Sequence, residues 1–311
     1  MSPQARPMAK VNLTLEVTGR RPDGYHEVRS VFLRIALADR LSVAAGWASD
    51  EDQLTVSGLP GCPIEGNLVL KAFDLVREAV DPRLPALRAE LHKEIPLGGG
   101  LGGGSSDGAA AIDLAAAAWG IGLGPHERTE LAEALGSDVP FFVAGDQAAL
   151  IEGRGESVKP LPAITGGVGV LLAASSAELS TSKVFARYDE MAPATADMNS
   201  PSDRLARALR DGMTGARLAE LASEMADANQ LWPAAASLSP ELVDRRDALE
   251  QATDWRWALS GSGPTLFCVL PSLADAVAAG TSLAADRPPE LAGVMLCAVD
   301  LDNPDNAWRE P

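Results

Sequence analysis

Strand-period and helix-period segments follow one another irregularly through both halves of this 311-residue chain, which predicts an α+β protein of two lobes, residues 1–162 and 163–311. Three observations carry that reading. Alternating apolar and polar residues dominate the first 45 positions, and alanine-rich helical runs follow them. Six glycines fall within the seven residues Gly98–Gly104, between one strand-like and one helix-like segment. At 46% hydrophobic and 22% charged residues, the chain has the balance of a globular protein long enough for two domains.

Taken in order, strands are expected at about 8–18 and 26–37, joined by a turn holding Asp23-Gly24, with another near 41–45. A helix follows at 67–79. Leu87, Ala89 and Leu91 alternate with Arg88, Glu90 and His92, the period of a half-buried strand. After the glycines, Ala109 to Trp119 is nearly all helix former, with Ser105, Ser106 and Asp107 available as cap and first-turn residues. A second helix runs from Glu127 to its terminator Gly136, and alternation resumes from Val139 to Ile151. The second half opens on an apolar strand at 168–173. Helices are expected at 203–211, 215–228, 240–252 and 272–285, strands at 256–270 around a Gly261 turn and at 293–299, and a mobile polar loop at Asp189–Asp203.

The glycine run, Pro96-Leu97-Gly98-Gly99-Gly100-Leu101-Gly102-Gly103-Gly104-Ser105-Ser106, reads as a phosphate cradle. Glycines let backbone amides crowd onto an anion, and a helix start adds about half a positive charge. It is not a P-loop, because no lysine lies between Lys93 and Lys159. Gly98-x-Gly100-x-x-Gly103 matches the dinucleotide fingerprint literally, but the required second strand with its acid is missing: the helix leads into Gly120–Pro125 and another helical run. Apolar flanks argue against a simple linker.

Composition excludes other classes. A net charge of −17 argues against nucleic acid or an anionic membrane as partner. Residues 1–40 run the other way, with seven cations against four acids, so an anionic small molecule would bind near them. No apolar run reaches membrane length, and the first seven residues lack the apolar core of a signal peptide. Cys62, Cys268 and Cys297 suggest neither a disulfide framework nor a zinc site; a cytoplasmic protein with buried, inert Cys268 and Cys297 is expected.

Four ordered motifs resemble the GHMP kinase superfamily: Ala9-Lys10-Val11-Asn12-Leu13 with Asp23-Gly24-Tyr25-His26, the glycine run, Gly136-Ser137-Asp138-Val139-Pro140-Phe141-Phe142, and Ser260-Gly261-Ser262-Gly263-Pro264-Thr265. The resemblance spans about residues 8 to 300. It implies a nucleotide lobe like the second domain of ribosomal protein S5, built on a left-handed βαβ unit, and a ferredoxin-like second lobe. It also implies ATP as phosphoryl donor with Mg²⁺, and an acceptor that is a cytidine diphosphate sugar alcohol. The form implied is a monomer or homodimer.

On this resemblance Lys10 is the cation at the transferring phosphate. Strand alternation puts Lys10, Asn12 and Thr14 on one face, suited to a cleft floor, although a lysine on an edge strand is ordinarily just solvated. Asp138, beside an apolar wall, is the implied base for the acceptor hydroxyl; an aspartate after Gly-Ser otherwise serves a turn. Tyr25 and His26 are implied to hold the cytosine, with Phe185 closing its other face; read alone, they are a hairpin end. Thr181 and Lys183 lie in the same loop as Phe185 and are secondary candidates. Asn12, Gly261, Ser262 and Gly263 complete the substrate contacts. Pro96–Ser106 would take the nucleotide, with Ser105 and Ser106 bonding phosphate or reaching Mg²⁺ through water. No protein cage for a metal is visible. Asp107 stands where the superfamily often has asparagine, and in Asn229-Gln230-Leu231-Trp232 the residues Gln230 and Trp232 stand where acids are common.

Overall fold

The structure, a computed structural model, describes residues 2–46, 50–175, 179–191 and 200–309. In chain order the first half forms β1 (Gln4–Ala5), β2 (Met8–Arg20), β3 (His26–Ala38), β4 (Arg40–Ala45), β5 (Gln53–Gly58), α1 (Leu68–Val80), β6 (Leu87–Lys93), α2 (Gly103–Trp119), α3 (Pro125–Leu135), α4 (Val139–Ala144), β7 (Ala148–Gly153) and β8 (Ser157–Leu161). One sheet has the order β1-β4-β6-β5, and a second the order β2-β3-β7-β8. β5 and β6 pair in parallel with α1 between them, which is a βαβ unit. α1 forms because Asn67 caps the Val69 amide at 3.0 Å and because Val69, Ala72, Phe73 and Val76 recur at helical spacing. That stripe packs with Leu91, Ile112 and Leu131 into the core of the first sheet and its helices.

The chain passes to a third sheet between Leu161 and Gly169. This half contains β9 (Gly169–Ser175), α5 (Thr181–Glu190), α6 (Pro201–Arg210), α7 (Gly215–Glu224), α8 (Trp232–Leu238), α9 (Glu241–Thr253), β10 (Ala258–Leu259), β11 (Leu266–Leu270), α10 (Leu273–Ala285), β12 (Val294–Val299) and β13 (Trp308–Arg309). Its sheet runs β10-β11-β9-β12-β13 and is antiparallel throughout. A single apolar cluster joins the second and third sheets: Val11, Leu33 and Leu150 share it with Leu205, Leu218 and Phe267. The two halves are therefore welded along β2 and β3, the strands that carry the first motif. Among the described residues no helix is long and apolar enough to cross a membrane.

Several local expectations need correction. Thr14 does not share the face of Lys10 and Asn12. The β2–β3 register shifts between Asn12 and Thr14, leaving Leu13 as an extra residue, and a bulge of that kind reverses the faces beyond it. Thr14 turns instead to the Ser202 hydroxyl at 2.8 Å, and Leu15 takes the cleft side. The apolar stretch from Val139 is a helix rather than a strand: Pro140 sits in the first turn of α4, where its missing N–H costs nothing, and β7 begins only at Ala148. α2 starts six residues earlier than its alanines suggest, with Gly102 at the N-cap, so Ser105, Ser106 and Asp107 lie inside the helix and cap nothing. α5 occupies a stretch read as loop, anchored by Val184 and Tyr188 at i, i+4. Of the expected mobile loop, residues 192–199 lie outside the described residues; Asp189 belongs to α5 and Pro201–Asp203 to α6.

Candidate active site

β2 lies against the glycine run directly: the Lys10 amide donates to the Leu101 carbonyl at 2.9 Å. The Lys10 side chain, 4% exposed, then reaches across the loop. Its Nζ donates to Asn12 Oδ1 at 2.7 Å and to the Gly100 carbonyl at 2.9 Å, lies 3.5 Å from Asp138 Oδ2, and sits 4.7 Å above the Phe32 ring. Burial lowers the Lys10 pKa, and the charge and hydrogen bond of Asp138 oppose that shift only in part. Asn12 is fixed in turn by donating to Ser30 Oγ at 3.0 Å. Asp138 holds the N-cap position of α4, yet its carboxylate caps no amide and is 31% exposed on the cavity. A buried ammonium and an accessible carboxylate, 128 positions apart in sequence, thus converge on one point.

The glycines earn their positions by close approach. Gly100 has φ +76°, and a Cβ there would lie 2.0 Å from the Ser260 carbonyl oxygen. Gly102, at φ +70°, is pressed between the Phe142 ring and the Lys10 stem. The neighbour of Gly100 is the second glycine turn: Ser260 Oγ donates to the Gly100 carbonyl at 2.9 Å, and Asn229 Nδ2 donates to the carbonyls of Leu259 and Gly261, each at 2.8 Å. Gly261 and Ser262 line the cavity, while the Gly263 amide closes its own turn onto the Ser260 carbonyl. The first amides of α2 have no intrahelical acceptor and open onto the loop. Ser105 is half-buried there; Ser106 is buried and lines a separate cavity behind α2, with Arg6 and Arg34.

A cavity of about 710 Å³ extends from this point and is lined by Lys10, Asn12, Gly100, Gly102, Asp138, Gly261, Ser262 and Thr181 at one end and by Tyr25, His26 and Phe185 at the other. Thr181 Oγ1 and Ser262 Oγ meet at 2.9 Å, joining α5 to the second glycine turn. The Phe185 ring lies on the His26 ring, centroids 4.7 Å apart and planes 22° from parallel, and His26 Nε2 meets Asp189 Oδ1 at 2.7 Å. Tyr25 is 54% exposed, with the Arg154 guanidinium 5.7 Å from its ring. Gly98 and Lys183 line an adjoining cleft with Thr181. Pro96, Leu97, Gly99 and Gly104 complete the loop without lining the main cavity.

Arg20, Phe32, Arg154 and Asp189 also line the cavity. None was singled out as a contact. Arg20 belongs to the basic first 40 residues, which was a usable signal; Arg154 and Asp189 sit in stretches with no motif. Among the described residues no group of three or more His, Cys, Asp or Glu could hold a metal. Cys268 and Cys297 are buried and unpaired, and burial raises both thiol pKa values, that of Cys297 to about 11.

Comparison with known proteins gives the family. The description "GHMP kinases N terminal domain" matches residues 67–146, and "GHMP kinases C terminal" matches residues 205–287. The chain belongs to the GHMP kinases. It is 36% identical over 282 residues to a 4-diphosphocytidyl-2-C-methyl-D-erythritol kinase of Symbiobacterium thermophilum, covering 90% of this chain and 94% of that one. The protein of the same name in Streptomyces coelicolor is 37% identical over 85% of this chain and 86% of its own length. A crystal structure of 4-(cytidine 5'-diphospho)-2C-methyl-D-erythritol kinase superposes with a TM-score of 0.70 at 29% identity, over 96% of this chain and 98% of that one. The mevalonate kinase of Methanococcus jannaschii, at 12% identity and a TM-score of 0.71 over 97% of this chain and 99% of that one, shares the fold. Within the GHMP kinases, the family of this chain is that of the 4-diphosphocytidyl-2-C-methyl-D-erythritol kinases.

Proposed function

We propose that this kinase transfers the γ-phosphoryl group of ATP to the 2-hydroxyl of 4-diphosphocytidyl-2-C-methyl-D-erythritol, a step of non-mevalonate isoprenoid precursor synthesis. The observation that carries the assignment of roles is the 3.5 Å approach of Lys10 Nζ to Asp138 Oδ2 beside the glycine loop. Phosphoryl transfer leaves a protein little covalent work beyond positioning and charge stabilisation. Asp138 accepts the proton of the acceptor hydroxyl as its oxygen bonds to the γ-phosphorus, and ADP departs with the electron pair of the broken P–O bond. Lys10, held by Asn12 and the Gly100 carbonyl, faces the negative charge spreading over the transferring group. The amides of the glycine loop and the start of α2 hold the triphosphate.

Magnesium bound to the triphosphate would neutralise charge and orient the leaving group. A magnesium ion held by phosphate oxygens and its own waters asks little of the protein, and Ser105, half-buried in the first turn of α2, would bond one of those waters. At the far end Tyr25 offers an exposed ring for stacking, while His26 and Phe185 form a second aromatic surface. Arg20 and Arg154 supply positive charge for the diphosphate. We take the enzyme to be cytoplasmic, and a monomer or homodimer.

An ADP-release assay tests the assignment, run with ATP and the cytidine diphosphate substrate, homoserine or mevalonate in turn. Release stimulated by the cytidine compound alone is expected; equal stimulation by homoserine or mevalonate would overturn the choice of acceptor.

A further inference from the structure

Behind the glycine loop lies a buried ion network that phosphoryl transfer, as described, does not use. Lys93, at the end of β6, donates to Asp39 Oδ2 and, at 2.7 Å, to Asp107 Oδ2 in the second turn of α2; these side chains are 1%, 0% and 3% exposed. Asp39, just beyond β3, accepts the amides of Glu94 and Ile95 on its other oxygen, at 2.5 and 2.9 Å. None of the three lines the main cavity. The network therefore ties together the strand that enters the glycine loop and the helix that leaves it. Its place is immediately under the first turn: a Cβ on Gly103 would stand 3.4 Å from Lys93 Nζ and 2.9 Å from the Ile95 side chain.

The charges do not balance if all three groups are ionised, since two carboxylates share one ammonium. Asp107 Oδ1 is buried with no hydrogen-bond partner, so nothing else compensates a charge on it. Burial above all, with Asp39 beside it, pushes the Asp107 carboxyl up to about 8 against the pull of Lys93. Burial lowers the Lys93 pKa, but Asp107 and Asp39 together outweigh it, and the ammonium is held above the ordinary lysine value. Leu68 and Leu135 close the space at Gly108, the next residue. Buried pairs of this kind contribute little net stability but are costly to break from one side, and they fix geometry.

We propose that Asp107 is a positioning residue. Through Lys93 and Asp39 it locks the first turn of α2 against the end of β6, and thereby aims the amides of Gly103, Gly104 and Ser105 at the phosphates of ATP. Lys93 is committed inward and contributes to nucleotide binding through the shape of the loop, without touching the ligand. This inference rests on the reading of the loop as an ATP cradle.

Steady-state kinetics with both substrates, and calorimetry with ATP alone, test it. Asp107→Ala is expected to raise KM and the dissociation constant for ATP about tenfold, while kcat and the KM of the cytidine substrate stay within about twofold. Asp107→Asn, which keeps the size and an oxygen for Lys93, is expected to restore ATP affinity to within about twofold of the parent. Unchanged ATP affinity in Asp107→Ala would overturn the proposal, and so would equal losses in every parameter. If Asp107→Ala does not fold, Asp107→Leu takes its place; it fills the same space and leaves the Lys93–Asp39 pair intact. Leucine offers Lys93 no oxygen, so ATP affinity should fall about tenfold again; parental affinity would refute the claim. Failure of the acceptor assignment leaves ATP calorimetry intact, so the two failures are distinguishable.

Discussion

The two ends of the cavity are built on different physical plans. At the glycine-loop end, the lysine and the loop beneath it are held from several sides: Lys10 by Asn12 and the Gly100 carbonyl, Gly100 by Ser260, and Ser260 by the turn that Asn229 clamps. At the other end, Tyr25 stands largely in solvent, and its neighbours are charged side chains on the surface: Arg154 over its ring, and Asp189 shared between His26 and Arg20. Buried, multiply bonded groups keep their geometry without a ligand, which suits charge stabilisation in a transition state. Exposed rings can adapt around a base and hold it by area, at modest energy per contact. Substitutions at the first end should therefore damage turnover, and those at the second should damage affinity for one substrate.

The largest effect should come from Lys10→Met, which keeps the stem but deletes the ammonium. We expect kcat to fall on the order of a thousandfold, with ATP binding measured by calorimetry much less affected. Gly100→Ala comes next. Its Cβ would collide with the Ser260 carbonyl and force a strained φ, so the loop must shift away from Lys10, lowering kcat/KM for both substrates about a hundredfold. Tyr25→Ala should raise the KM of the cytidine substrate about tenfold and leave the KM of ATP nearly unchanged; equal changes in both constants would erase the contrast between the two ends. The smallest effect is one of pH. Because burial depresses the Lys10 pKa, its proton leaves below the pH of an ordinary lysine, and kcat should decline on the alkaline side earlier than a solvated lysine would dictate. Lys10→Arg, which stays charged, should lose that decline while retaining lower activity.

How legible these two ends were in the sequence follows from the same difference. The glycine loop announces itself because close backbone approach demands glycine, whereas Lys10 and Asp138 read alone are an edge-strand lysine and a turn aspartate, and only the resemblance marks them. Their assembly into one site required the resemblance of four motifs, since spacing alone cannot say that position 10 meets position 138. Thr14 was misplaced because strand alternation assumes unbroken pairing, and the extra residue at Leu13 depends on the partner strand. The helix from Val139 was missed because its side chains are apolar nearly all round, where periodicity cannot separate helix from strand. Arg154 and Asp189 gave no local signal: only the fold brings them to the cavity. Asp107 was noticed as unusual but read as a possible cap, and its bond to Lys93 depends on α2 beginning at Gly103. Gln230 and Trp232 serve packing here: Gln230 accepts the Val17 amide at 2.9 Å, and Trp232 lies 4.8 Å beneath the Arg246 guanidinium.

The most direct test of the whole account is a double-mutant cycle in kcat over the parent, Lys10→Met, Asp138→Asn and the combined variant, with ATP and acceptor binding measured for each. If ammonium and carboxylate serve one phosphoryl transfer as a unit, the combined loss should be close to that of the worse single change, with both ligands still bound. Losses that multiply, or turnover near the parent's in Asp138→Asn, would contradict it.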